Sequence, residues 1–212
     1  MAFPFNPESV ENSQPTLALV ALGANLSSWA GAPADSLRAA LAMMQARGLR
    51  IVALSRFWRT PAHPPGSGPD YVNAAAVIGA AADPAGTLAI LHEIEAALGR
   101  VRDGGRWQSR GIDLDLIAVG DAVLPDAATQ DRWRDLPAEE QARLAPDRLI
   151  LPHPRMQDRG FVLAPLAEIA PRWVHPRTGQ TIAQMLAALG PEGLSAMDPL
   201  PASESFGNRT SA

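Results

Sequence analysis

The chain has 212 residues, 47% apolar and 19% charged, with a formal net charge of -4; lysine is absent, so all 18 basic residues are arginine. This is the balance of one globular domain with loose ends, not of a disordered chain or of a general nucleic-acid binder, which would be basic. The lack of cysteine excludes a disulfide framework, a thiolate nucleophile and a sulfur-based zinc site, and the lack of lysine excludes a P-loop lysine, a kinase strand lysine and a Schiff base.

Residues 1–15 are polar and proline-bearing and read as a flexible tail before a domain spanning 16–190. They lack the basic start and apolar run of a secretion signal, and no stretch of eighteen apolar residues follows, so a cytoplasmic protein with no membrane partner is expected. Thr16–Leu22 is a short apolar run ending at Gly23-Ala24-Asn25, the pattern of a buried strand and a turn. Asp35–Arg47 places Leu37, Leu41 and Met44 at helical spacing, and Leu49–Thr60 reads as one strand. Residues 61–70 form a loop, and Tyr71–Ala80 is a strand. Asp83-Pro84 gives an N-cap and a first-turn proline to a helix that Gly99 closes. After a polar, arginine-bearing loop, Gly111–Val119 is a strand. The order strand, helix, strand, strand, helix, strand is that of an α+β, ferredoxin-like βαββαβ core: an antiparallel sheet with helices packed on it. Residues 121–147 read as an inserted excursion with a short helical piece at Pro137–Leu144. Asp158–Ile169 is a helix interrupted by Pro165, Thr181–Leu189 is a last helix, and 191–212 is a flexible tail.

The chemistry concentrates in four places. Asp113 and Asp115 alternate on a strand, so both carboxylates share a face with Cα atoms roughly 7 Å apart. Ile117 and Val119 are expected on that same face, and Ile112, Leu114 and Leu116 on the other, which puts the two acids at the mouth of a strand covered on both sides. Such a pair can hold magnesium ions, which lie about 3.5–4 Å apart in two-metal sites. The plainer alternative, a half-exposed strand showing polar residues to water, is the commoner meaning of such a pair taken alone. Directly upstream, Arg100, Arg102, Arg106 and Arg110 surround Gly104, Gly105 and Trp107, a composition suited to a lid that closes over phosphates. His153 and Arg159 flank a turn, which by itself signifies only a proline-bounded turn into a helix. Tyr71 and Asn73 share a strand face, from which they can stack on and hydrogen-bond a flat heterocycle or simply pack across strands.

Together these segments resemble the 6-hydroxymethyl-7,8-dihydropterin pyrophosphokinase family of folate synthesis. The matching motifs are LGAN (22–25), RTP (59–61), DYVNAA (70–75), IEAALGRVR (94–102), RW-x-x-R-G-IDLDLI (106–117) and LPHPRMQDRGFVLAPLAEIAP (151–171). The resemblance implies pyrophosphoryl transfer from ATP to the pterin alcohol with release of AMP. It makes Asp113 and Asp115 ligands of two magnesium ions, and Arg100 and Arg110 the catalytic arginines on the phosphates. His92, Glu95, Arg102, Trp107, His153 and Arg159 then belong to the ATP site, and Thr60, Pro61, Tyr71, Asn73 and Phe161 to the pterin pocket. His92 stands where the family often has glutamine, Ala24 where serine is common and Gln108 where glycine is usual, and the 121–147 segment is long for the family. ATP and the pterin are the expected partners of a monomer that binds no nucleic acid. The rival readings are another two-magnesium phosphoryl or nucleotidyl transferase, which needs no pterin slot, and a ferredoxin-like RNA-binding or regulatory module, which has no reason to gather arginines beside two acids.

Overall fold

Two apolar faces on each central strand organise the molecule. The computed structural model of the chain describes residues 16–62, 66, 68–79, 83–100, 111–201 and 205. Among them lie β1 Leu17–Ala24, α1 Pro33–Ala46, β2 Arg50–Leu54, β3 Trp58–Thr60, β4 Tyr71–Gly79, α2 Pro84–Ala97, β5 Asp113–Val119, α3 Ala127–Arg134, α4 Ala138–Arg143, α5 Gly160–Ile169, α6 Ile182–Leu189 and β6 Asp198–Pro199. Val20, Leu22, Ala76, Ile78, Leu114 and Leu116 pack with α1 and α2 on one side of the sheet. Leu19, Ala21, Ala75, Val77 and Ile117 pack with α5 and α6 on the other. Burial on both sides explains why β1 and β4 read as continuous rather than alternating apolar runs.

The sheet runs β5-β1-β4-β3-β6, and β2 also pairs with β4. All its pairings are antiparallel. The segment expected to be one strand over Leu49–Thr60 is broken. β2 pairs with the far half of β4 and β3 with the near half. Between them Ser55 keeps the ladder: its N–H donates to Ala75 O at 2.9 Å, and its hydroxyl accepts the Ala75 N–H at 2.9 Å. Counted as one interrupted strand, β2 and β3 complete the 4-1-3-2 order of the ferredoxin-like α+β fold, as the element order led one to expect. α5 and α6 add a third layer over the face that the βαββαβ core leaves open.

Local chemistry sets the helix ends. Asp83 caps α2 through bonds from the Ala85 and Gly86 amides at 3.0 and 2.9 Å, and Pro84 takes the first turn. Gly99, at φ 93°, turns the chain out of the helix in a region that favours glycine. Thr181 caps α6 in a reciprocal pair with Gln184.

Several expectations change. The register of β1 on β5 slips between Leu19 and Val20, which leaves Ile117 as an extra residue. Ile117 stays on the aspartate face, but Val119 rotates to the α1/α2 core. Pro165 does not interrupt α5. It removes only the amide that would bond the Phe161 carbonyl, and the apolar face of Val162, Leu163 and Leu166 carries the helix through. Residues 191–201 are not a loose end: Pro199 and Asp198 pair with Trp58 and Arg59, and Leu200 N–H donates to Phe57 O at 2.7 Å. The 121–147 segment is no detached excursion either. Leu124 exchanges two backbone bonds with Leu151, at 2.9 and 3.2 Å, and the fully buried Gln130 donates to Pro152 O at 3.1 Å. Among the described residues, no helix is long and apolar enough to cross a membrane.

Candidate active site

Register brings the candidate residues to one end of the sheet. Gly23 of β1 sits opposite Asp113 on one side and Asn73 on the other, and Asn73 is opposite Trp58. Directly paired residues project from the same face. Asp113, Asn73 and Trp58 therefore stand in one row, on the side covered by α5. Asp113 and Asn73 lie two strands apart, roughly 10 Å from the interstrand spacing. Gly23 in the middle presents no side chain. A Cβ there would lie 2.7 Å from Asn73 Oδ1, so the bare backbone is what leaves space for that amide.

On the β5 side, the Asp113 and Asp115 side chains are partly open, 26% and 35% exposed. Each carries an arginine. Arg100 bridges Asp113 and Glu95, and Arg159 Nη1 approaches Asp115 Oδ2 at 3.4 Å. Glu95 is buried, and it also accepts the Leu114 amide at 2.8 Å. One carboxylate of α2 thus fixes both the catalytic-candidate arginine and the start of the aspartate strand. Burial works against the Arg100 charge, but Asp113 and then Glu95 outweigh it and hold the guanidinium pKa above its ordinary value. His92 lies on α2 one turn before Glu95 and is partly buried.

The strip after α4 supplies the next residues. His153 N–H donates to Ile117 O of β5 at 2.8 Å, and its Nδ1 accepts the Arg155 amide at 3.1 Å. Burial, then Arg159 and Arg155, push the imidazole pKa down to about 3, so the ring is neutral near pH 7 with its proton on Nε2. Arg159 also lies over the exposed Phe161 ring, 5.7 Å from its centroid.

On the β3–β4 side, Thr60 pairs with Tyr71, and the buried Asn73 amide donates to Thr60 Oγ1 at 2.7 Å. Pro61 follows, exposed. Asn25, at the end of the LGAN motif, donates to Pro69 O at 3.3 Å and ties the first strand's turn to the loop ahead of Tyr71. Phe161, the second residue of α5, opens the helix that packs across β4. Asp113, Asp115, Arg100, Glu95, His92, His153, Arg159, Thr60, Pro61, Tyr71, Asn73 and Phe161 are all described. Arg102, Arg106, Trp107, Gln108 and Arg110, and the lid expected over 103–109, lie outside the described residues. Gly23 and Glu95 have fixing roles that the motifs alone did not give. The signal for Gly23 was a glycine closing an otherwise apolar strand.

The donor set suits magnesium. Among the described residues, no three histidine, aspartate or glutamate side chains gather into a full protein cage. What the chain offers is two partly open carboxylates flanked by arginines, and Mg²⁺ is commonly held by one or two carboxylates together with substrate phosphates. A separate, mainly apolar hollow of about 510 Å³, lined by Leu17, Val77, Asp121, Ile169 and Trp173 among others, lies at the opposite end of the strands; its lining has a single carboxylate and no arginine.

Comparison with known proteins shows the family of the chain. The family model for 7,8-dihydro-6-hydroxymethylpterin-pyrophosphokinase matches residues 19–171. A Synechocystis 2-amino-4-hydroxy-6-hydroxymethyldihydropteridine pyrophosphokinase is 39% identical over 170 residues, covering 80% of this chain and 74% of that one. The Methylorubrum extorquens protein of the same name is 36% identical over 184 residues, covering 86% and 99%. The HPPK-DHPS crystal structure of Plasmodium falciparum superposes with a TM-score of 0.57 at 13% identity, over 82% of this chain and 44% of that one, a likeness of fold alone. This chain spans less than half the length of that protein. With the matched region reaching from β1 through the aspartate strand to the end of α5, the chain belongs to the 7,8-dihydro-6-hydroxymethylpterin-pyrophosphokinase family.

Proposed function

We propose that the chain transfers a pyrophosphoryl group from ATP to the 6-hydroxymethyl oxygen of 7,8-dihydropterin, the diphosphotransfer step its relatives are named for in folate biosynthesis. The alcohol oxygen attacks the β-phosphorus, the bond from the β-phosphorus to the α–β bridging oxygen breaks, AMP departs with that oxygen and the alcohol proton passes to water. Asp113 and Asp115 would hold the two magnesium ions, whose positive charge would offset the negative charge that develops on the phosphates. Arg100 and Arg159 already stand beside these carboxylates; they and Arg110 are the cations that meet the triphosphate. Arg102, Trp107, His92, Glu95, His153 and Arg159 make up the nucleotide side. Neutral His153 offers an Nε2–H donor rather than a charge.

The pterin lies over the Tyr71 end of β4, its ring between Tyr71 and Phe161, with Thr60, Pro61 and the Asn73 amide along its polar edge. Stacking gives about 0.5–1.5 kcal/mol per pair beyond area burial and tolerates many flat rings. A site hydrogen bond left unpaired costs about 1–3 kcal/mol, so the amide sets the choice of ring. The observation that supports the reading is the Asp113–Gly23–Asn73 row: the Asp113 carboxylate and the Asn73 amide share one face, roughly 10 Å apart, as a metal ligand and a ring-reading amide would need to. We further infer a cytoplasmic monomer acting on these two small molecules, with no nucleic-acid partner.

Separate titrations of Asn73→Ala with a non-hydrolysable ATP analogue and with the pterin test the layout. Weaker pterin binding with ATP affinity kept supports it. Equal weakening of both ligands means that Asn73 is structural and the pocket is misplaced.

A further inference from the structure

We propose that Gln130, on the inserted helix α3, is a positioning residue for His153: it fixes the Pro152–His153 peptide and thereby aims the imidazole into the nucleotide site. The proposal rests on the reading of His153 as a nucleotide contact.

Gln130 is fully buried on a helix whose other residues are half-buried or exposed. A buried amide is costly unless both its ends are paired, and here both are. Its Nε2 donates to Pro152 O at 3.1 Å, and its Oε1 accepts from Arg134 Nη1 at 3.3 Å. Arg134 is held in turn by Asp131 at 2.7 Å, and Asp131 by Arg177 at 2.6 Å.

The peptide that receives the Gln130 bond is the one whose other polar group is also taken. The His153 N–H is bound to Ile117 O at 2.8 Å. A peptide is planar, so securing its carbonyl on α3 and its amide on β5 fixes the plane and the N–Cα bond of His153; with the His153 carbonyl also held, by the Met156 amide at 3.1 Å, the direction in which the side chain leaves the backbone is set. The preceding residue is held too, by the reciprocal Leu124–Leu151 bonds. On the far side, Arg155 donates its guanidinium to the Gln141 and Leu144 carbonyls at the end of α4 while its amide holds His153 Nδ1. The insertion therefore grips the His153 strip from both sides, and Gln130 hydrogen-bonds the peptide that leads into the ring-bearing residue.

If Gln130 merely fastened α3 to the domain, its loss would lower stability and leave the ATP site alone. Gln130→Met keeps length and burial but removes the amide. Gln130→Glu keeps the acceptor facing Arg134 and sets a carboxylate against the Pro152 carbonyl. In the full-length protein, both variants and His153→Ala are assayed for the KM of ATP, the KM of pterin and kcat. The ¹⁵N signals of the His153 ring are recorded in the ligand-free Gln130 variants. The expected result is displaced His153 signals and an ATP KM raised about tenfold, the scale of one lost hydrogen bond, with the pterin KM and kcat within about twofold. Lowering the pH, which protonates the new carboxyl of Gln130→Glu and restores a donor, should recover much of its ATP KM relative to wild type. A purely structural role predicts no such recovery. Should Gln130→Met fail to fold, Gln130→Glu and its pH profile decide the matter. Unmoved His153 signals with an unchanged ATP KM, while His153→Ala is impaired for ATP, overturn the proposal alone. An unimpaired His153→Ala overturns the nucleotide reading of His153 and the proposal with it.

Discussion

Gly23→Ala is the smallest change that should separate the two ligands. The added Cβ would stand 2.7 Å from Asn73 Oδ1, closer than the 3.0 Å below which such contacts essentially never occur. The strand backbone cannot yield easily, because Gly23 is flanked by paired strands on both sides. The Asn73 amide must therefore turn away, and the 2.7 Å bond it donates to Thr60 is lost or lengthened. Overpacking of this kind costs about 1–3 kcal/mol of stability. If Asn73 reads the pterin edge, the misplaced amide should cost about 1–3 kcal/mol of pterin binding as well, or about 5- to 150-fold in Kd. Asp113 faces the other side of Gly23 and has its own Arg100 partner, so ATP affinity should change by less than about threefold. Calorimetric titration with pterin and, separately, with a non-hydrolysable ATP analogue measures both. Unchanged pterin affinity in a folded variant would refute the placement of the pterin over Asn73; equal losses for both ligands would show that the row acts only as scaffold.

Asp115→Asn, nearly isosteric, should keep the melting temperature within a few degrees yet reduce kcat by orders of magnitude; near wild-type turnover at limiting magnesium contradicts the metal assignment. Glu95→Ala should cost about 1–3 kcal/mol in urea unfolding, because it strands the buried Leu114 amide, and Glu95→Gln less, because an acceptor remains; equal losses would show that the amide bond is unimportant. His175, buried with its Nδ1 accepting the Arg177 amide at 3.1 Å, has its pKa lowered to about 4 by burial and then by Arg134. The unfolded chain then binds a proton that the native one does not, so this contribution to stability is complete above pH of about 6.5 and is lost as the pH falls toward about 4. His175→Gln should flatten stability against pH in that window, and an unaltered slope would exclude the residue as a source.

Residues whose neighbours are close in sequence were the legible ones. α2 announced itself by Asp83-Pro84 at one end and Gly99 at the other, and the carboxylates of β5 by alternation alone. Less legible were features set by partners far along the chain. The slip at Leu19/Val20 that turns Val119 to the other core depends on how β1 meets β5, which no local period reports. β6 is two residues long and exists only because the edge of β3 is there to receive it, so its small, polar surroundings read as a tail. Gln130 sits in a charged stretch with nothing to mark it as buried; its environment is created by Pro152, 22 positions on. The residues expected on the pterin side gained their meaning from the motif resemblance, and register then showed that Asn73 among them shares a row with Asp113.

The central claim is tested most directly by measuring AMP release in magnesium buffer with 6-hydroxymethyl-7,8-dihydropterin present and absent. AMP should form stoichiometrically with pterin diphosphate only when the pterin is supplied. AMP formed equally without it, or ADP in place of AMP, would contradict pyrophosphoryl transfer to the pterin alcohol.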